Sequence, residues 1–256
     1  MILWHNLLLT SMITIFVLIA LVSLPYLFFS DQYIMAAHSS SSSSSSSFKH
    51  KTKGDSTIQI CCSWGDQIAD GILTYRIIDD GNSRVVKAVH QAIDEWNSIV
   101  PNIHLQEITD SNIPADIDIK TKSKAPQVTH SIIRTNDGHA ISDRKNIKLV
   151  QPGEASISFD ASGLITHVDM TISTRALGNS ISSSELESIV KHEIGHAYGI
   201  GHTDFVDDLM SPVLTSGTNT DISQCDINAI EEANEWKLKE DSTDNPHPPS
   251  LQFLKC

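Results

Sequence analysis

Three histidines and a glutamate stand close together in HEIGHAYGIGH, residues 192–202. On a helix His192 and His196 lie one turn apart on the same face, so both can aim a ring nitrogen at one ion. Two imidazoles do not fill a tetrahedral zinc shell. Gly199 tolerates a positive φ, which lets the helix stop and the chain swing back to bring His202 in as a third ligand. Three protein ligands leave a fourth position for water, the pattern of a catalytic zinc site, whereas a structural site is closed by four. Neutral imidazoles leave the ion its double charge, which lowers the pKa of its water from about 15.7 to roughly 7. Glu193, on the same turn as a ligand, can take that water's proton and later deliver it to a leaving amine, while the ion polarises the carbonyl and steadies the oxyanion. The expectation is amide hydrolysis, with His192, His196 and His202 as metal ligands and Glu193 as general base and then acid.

A bare H-E-x-x-H is only moderately informative. With the glycine and the third histidine added, chance at ~5% per position gives on the order of 10⁻⁴ per chain of this length. That is rare enough to set aside a reading of these histidines as ordinary core or surface residues.

The helix that must carry the motif is marked by Leu186, Ile189, Val190, Ile194 and Ala197 on one stripe, opening with Ser184 and Glu187 in capping-box spacing. Upstream, Gly71 to Ile78 alternates as a strand does, and DDGNS after it is a turn. Val85, Val89, Ala92, Ile93 and Trp96 then recur at helical spacing, predicting a helix from Ser83 to Ile99 closed by Pro101. IHLQEI (103–108) and ADIDIK (115–120) each predict a half-buried strand. Residues 121–152 are polar and weakly patterned, with HSIIR and NIKLV as short strands, and 155–173 predicts two strands joined by a turn at DASG. A final helix starts near Ser223, with Asp226 three residues on. Together these predict one α+β domain over 58–238, followed by an irregular tail over 239–256.

With formal net charge -13 and pI ≈ 5.2, the chain lacks the basic face a phosphate backbone requires, which excludes nucleic acid as a partner. Residues 1–30 contain an uncharged apolar run from Leu7 to Phe29, roughly 35 Å long as a helix at about 1.5 Å per residue. This is a membrane anchor or a signal segment: the run exceeds a usual signal h-region, while Ala36 and Ala37 offer a cleavage site. Lys and Arg are absent from both near flanks, so the positive-inside rule gives no orientation. Residues 31–57, with the unbroken serine run Ser39–Ser47, form a flexible linker. The expected location is a membrane-anchored protein with an extracellular catalytic domain, or a secreted one if the segment is cleaved.

The four cysteines, Cys61, Cys62, Cys225 and Cys256, flank the folded stretch without zinc-knuckle spacing. This favours disulfides over reduced thiols. Because a bridge between adjacent cysteines is sterically disfavoured, the expected scheme ties 61 and 62 to 225 and 256 in either order.

HEIGHAYGIGH matches the metzincin signature H-E-x-x-H-x-x-G-x-x-H, and DDLMSP resembles that clan's Met-turn, with Met210 as the methionine beneath the metal. Leu209, Met210, Ser211 and Pro212 make it most similar to a matrixin, and LTYRI, AIDEWNSI and LQEI resemble the start of a matrixin catalytic domain. The resemblance implies a metzincin-like fold, a five-stranded twisted sheet with three helices and a zinc cleft, and a zinc metalloendopeptidase acting on protein or peptide substrates. It also implies that GEASISF, 153–159, is the edge strand that pairs with extended substrate. Animal matrixins carry calcium and a second, structural zinc; His130, Asp137, His139 and His167 are the residues available for such a zinc, but their spacing fits it poorly, so one catalytic Zn²⁺ is expected. The rival reading is a noncatalytic extracellular domain in which zinc only supports folding, which needs a fourth protein ligand; Asp204 is near in sequence. A hydrolase of non-peptide amides is disfavoured only by the family likeness.

Overall fold

The computed structural model describes residues 56–78, 81–125, 127–133, 144–176, 178–205, 207–212, 220–238 and 252–256. The apolar run 7–29 and the serine linker lie outside them. Among the described residues no helix is long and apolar enough to cross a membrane.

The main sheet has five strands: β2 (Ile72–Ile78), β3 (His104–Glu107), β4 (Ile117–Lys122), β7 (Gly153–Phe159) and β8 (Ile165–Ser173), in spatial order β3-β2-β4-β8-β7. The first four run parallel, and β7 lies antiparallel to β8 at the edge. Among the described residues GEASISF is therefore an edge strand. Alternation explains these strands. Ile117 and Ile119 on β4, and Val168, Met170 and Ile172 on β8, point into the core, while Asp118, Lys120 and Asp169 point away. The hairpin β5 (Gln127–Ile133) and β6 (Arg144–Val150) falls where HSIIR and NIKLV predicted strands. Two-residue strands β9 (Arg175–Ala176) and β10 (Asn179–Ser180) lead toward the second helix.

Two helices pack on the apolar face of this sheet and a third lies beside a smaller sheet. Helix α1 (Ser83–Ile99) has the bounds its periodicity predicts; the Asn82 side chain accepts from the N–H groups of Arg84 and Val85, and Val85, Ala88, Val89, Ala92, Ile93 and Trp96 are buried. Helix α2 (Ser183–Ala197) begins slightly earlier than expected. Its capping box is Ser182 with Glu185, not Ser184 with Glu187. SISSSELE holds two overlapping S-x-x-E frames, and the earlier one leaves Leu186 and Ile189 facing inward in the first turns. Helix α3 (Gln224–Leu238) packs beside a second, three-stranded sheet made of β1 (Thr57–Ile60), β11 (Ile200–Thr203) and β12 (Gln252–Lys255), in order β11-β1-β12.

Two expectations are corrected. The tail is not irregular throughout, because β12 pairs along the length of β1, from Thr57 opposite Lys255 to Ile60 opposite Gln252. The disulfides join Cys61 to Cys62 and Cys225 to Cys256. The β1–β12 ladder brings Cys256 to the head of α3, with the Cα atoms of Cys225 and Cys256 5.2 Å apart. Cys61 and Cys62 sit where the chain bends to send both backbone N–H groups to the Gly199 carbonyl, and their thiols pair side by side.

Asp226 is fully buried in the first turn of α3. Its Oδ2 accepts from Ser223 N–H and Oγ at 2.8 and 2.9 Å, and Ser223 Oγ accepts from the Asp226 N–H. Burial, and then the neighbouring Asp208 carboxylate, push its pKa up to about 7 from 3.8. The folded chain thus keeps a proton that the unfolded chain has released. Stability from this group is complete below the unfolded value and is lost as pH rises to about 7. Asp226→Asn should accordingly raise the thermal midpoint above that of the parent at pH 8, with the gap closing toward pH 4, as followed by circular dichroism across a pH series; a gap independent of pH would contradict this.

Candidate metal centre

α2 delivers the first two imidazoles. His192 is fully buried and His196 is 2% exposed, and their rings lie edge-to-face with centroids 4.7 Å apart. Each Nδ1–H donates to a backbone carbonyl, His192 to Leu209 at 2.7 Å and His196 to Ile200 at 2.9 Å, which fixes the tautomer and leaves Nε2 as the lone-pair nitrogen. His192 Nε2 is buried and has no hydrogen-bond partner. A buried polar atom in that condition calls for a partner.

The third imidazole arrives by a chain reversal. Tyr198 caps α2, and Gly199 follows with φ +97. A Cβ at Gly199 would stand 2.3 Å from the Cys62 carbonyl oxygen, so the position excludes a side chain by space as well as by dihedral. The chain then enters β11, which carries His202, with its ring centroid 5.4 Å from that of His192 and 4.9 Å from that of His196. One ring nitrogen from each histidine lies within 4.8 Å of the other two, a set that could hold a metal ion.

The donor set suits zinc. Burial is the largest cause lowering all three histidine pKa values: His196 falls to about 4, His202 to about 3, and His192 well below its usual value with help from its two neighbours. Neutral imidazole is the form that ligates. Glu193, 2% exposed, has its pKa raised to about 8 by burial first and the Glu154 carboxylate second. Its carboxylate lies over the first residue of β7: a Cβ on Gly153 would come within 2.3 Å of Glu193 Oε1.

The surroundings hold these pieces in register. Met210 is buried beneath α2, with its amide donating to Asp208 Oδ1 and its carbonyl accepting from Thr203 N–H. The last carbonyls of α2 have partners too, since Trp64 Nε1 donates to Ala197 at 2.7 Å and Asn234 Nδ2 to Tyr198 at 2.9 Å. Asp204 is not among the residues whose ligand atoms converge there, and its two carboxylate oxygens accept from Thr57 N–H and Thr57 Oγ1. The fourth-ligand reading therefore loses the residue it needed.

The three histidines are thus brought together, and Glu193 is buried on the same helix next to the first of them. Gly153, Trp64, Asn234 and the Thr57–Asp204 contact were not foreseen, and only a glycine opening a strand hinted at the first. Of the residues available for a second zinc, Asp137 and His139 lie outside the described residues, as does the side chain of His130. His167 lies on the polar face of the sheet, its Nδ1 donating to the Ala115 carbonyl and its Nε2 3.9 and 3.8 Å from Asp118 and Asp169; Lys120 neutralises Asp169.

A family model described as matrixin matches residues 63–234, a span that holds the five-stranded sheet, the three ring-bearing positions and Met210. Comparison with curated proteins gave no match.

A Cβ at Gly195 would meet Met210 Sδ at 2.5 Å, so helix and turn are in contact with no room for a methyl group. Gly195→Ala should destabilise the fold by roughly 1–3 kcal/mol, the usual cost of overpacking, less the helix propensity it gains. Denaturant unfolding measures it, and an unchanged or raised midpoint would show that Met210 yields freely.

Proposed function

Because the chain belongs to the matrixin family, whose members are zinc-dependent endopeptidases, we propose that His192, His196 and His202 hold the zinc ion and that Glu193 is its general base and acid in peptide hydrolysis. The observation that carries this reading is the convergence of three imidazoles from two elements, two of them buried and the third half-buried, with a buried carboxyl on the same helix. Zinc bound there supplies a Lewis-acidic centre that acidifies water and polarises a carbonyl. The protein supplies the rest. The Leu209 and Ile200 carbonyls orient two of the rings, and Met210 supports the helix from below without touching substrate. Burial keeps the Glu193 carboxyl in the range where it can take up and return a proton near neutral pH. Glu193 takes the proton of the attacking water and passes it to the leaving amine nitrogen.

Substrate enters as an extended peptide. Among the described residues β7 has an unpaired edge, and its first residue lies against Glu193, so a peptide added to that edge would run past the general base. The two disulfides support an oxidising compartment, and with the apolar run 7–29 they support a catalytic domain outside the cytoplasm, either anchored or released.

A quenched-fluorescence peptide library tests the reading on the full chain. The parent should cleave internal peptide bonds, lose activity with a zinc chelator and regain it on zinc addition. Glu193→Ala should keep its zinc, measured by mass spectrometry of the metal, while turnover falls about 10²–10⁴-fold. Unchanged turnover in that variant would remove Glu193 from the mechanism.

A further inference from the structure

His202 reaches its place by a different route from its two partners. α2 fixes His192 and His196 along one rigid face, whereas His202 belongs to β11, whose ladder partner is β1. That ladder is interrupted at the residue in question. Ile58 stands opposite Thr203 and Ile60 opposite Ile200, so Gly201 and His202 together face Gln59. Two residues against one make a β-bulge, which re-aims a side chain and disrupts the local ladder. A Cβ at Gly201 would crowd the Gln59 side chain, standing 3.0 Å from its Cβ and 2.8 Å from its Oε1. The strand is therefore least supported by its own ladder where the imidazole is attached.

Support comes from either side of the bulge. Before it, the N–H groups of Cys61 and Cys62 donate to the Gly199 carbonyl at 3.0 and 3.3 Å. After it, Thr57 N–H donates to Asp204 Oδ1 at 2.8 Å and Thr57 Oγ1 to Asp204 Oδ2 at 3.2 Å. The Thr57 carbonyl in turn accepts from Asp204 N–H at 3.0 Å and Thr203 Oγ1 at 3.1 Å. The first strand and the chain just past His202 thus grip each other through a side chain two positions from the ring.

We infer that Asp204 is a positioning residue for the third metal ligand: it clips β11 to Thr57 of β1, fixes the bulge that aims His202, and so raises zinc affinity without touching the ion. The inference rests on reading His202 as a zinc ligand. Partners that orient a ligand from outside the coordination sphere typically contribute 10–100-fold to metal affinity.

The test uses the full chain in detergent, with zinc dissociation constants from chelator competition and the visible spectrum of the cobalt-loaded protein. Asp204→Ala should bind zinc about 10–100-fold more weakly and show an altered cobalt spectrum. Asp204→Asn should stay near the parent in both, because its oxygen still accepts from Thr57 N–H and its amide donates to Thr57 Oγ1. Thr57→Val, which removes only the hydroxyl, should show a smaller loss, and it decides the matter alone if Asp204→Ala does not fold: parental affinity in Thr57→Val would then overturn the clip. Parental affinity in Asp204→Ala overturns it directly. Equal losses in Asp204→Ala and Asp204→Asn would assign the effect to the charge of Asp204 or to direct ligation and overturn it as well. A parent chain that binds no zinc sinks the ligand reading itself, and this inference with it, whereas zinc binding with unaffected variants sinks only the clip.

Discussion

A helix that supplies two ligands cannot supply the third from the same face, so the chain must leave α2 and return within a few residues. The space for that return is set by one contact, Gly199 against the Cys62 carbonyl, and the contact exists only because β1 and the residues after it lie beneath the turn. Much of the domain can be understood as what is required to bury this reversal. A helix end taken out of water leaves carbonyls that must find donors. Trp64, a few residues past β1, and Asn234, on α3, provide them. Segments remote in sequence are thus recruited by the hydrogen-bonding demand of one turn.

The five-stranded sheet has a different task. Four parallel strands give α1 and α2 an apolar surface to pack on, and the antiparallel β7 closes one side while leaving, among the described residues, an edge open. Gly153 links that edge to the chemistry. Since no side chain intervenes, the Glu193 carboxyl packs against the backbone of β7. Burial then has opposite effects that both serve the site: it keeps imidazoles neutral and a carboxyl protonated at higher pH, each away from the charged form that desolvation disfavours.

The sequence made some of this legible and hid the rest for physical reasons. α1 is readable to the residue because a helix with one buried face writes its period into Val85, Val89, Ala92, Ile93 and Trp96. The four site residues are readable because their spacing is local, within the turns of one helix and a glycine. β12 left no such trace: its four residues gain their conformation from pairing with β1, and Phe253 on it is exposed. The disulfide pairing was misread because it depends on which strand lies beside β1, a property of the fold and not of cysteine spacing. Gly153, Thr57 and Asp204 escaped for the same reason, Thr57 and Asp204 standing 147 positions apart. The start of α2 was ambiguous because one motif occurs twice in overlapping frames, and packing of the apolar stripe chose between them.

Two buried indoles act on the ligand-bearing helix as a pair. Trp96 Nε1 donates to the Lys191 carbonyl, one residue before the first ligand, and Trp64 Nε1 donates to the Ala197 carbonyl, one residue after the second. Both rings are fully buried. The ligand-bearing turn is therefore bracketed by two indoles whose polar atoms are bonded to it, and unwinding either end would leave a buried indole N–H without its acceptor.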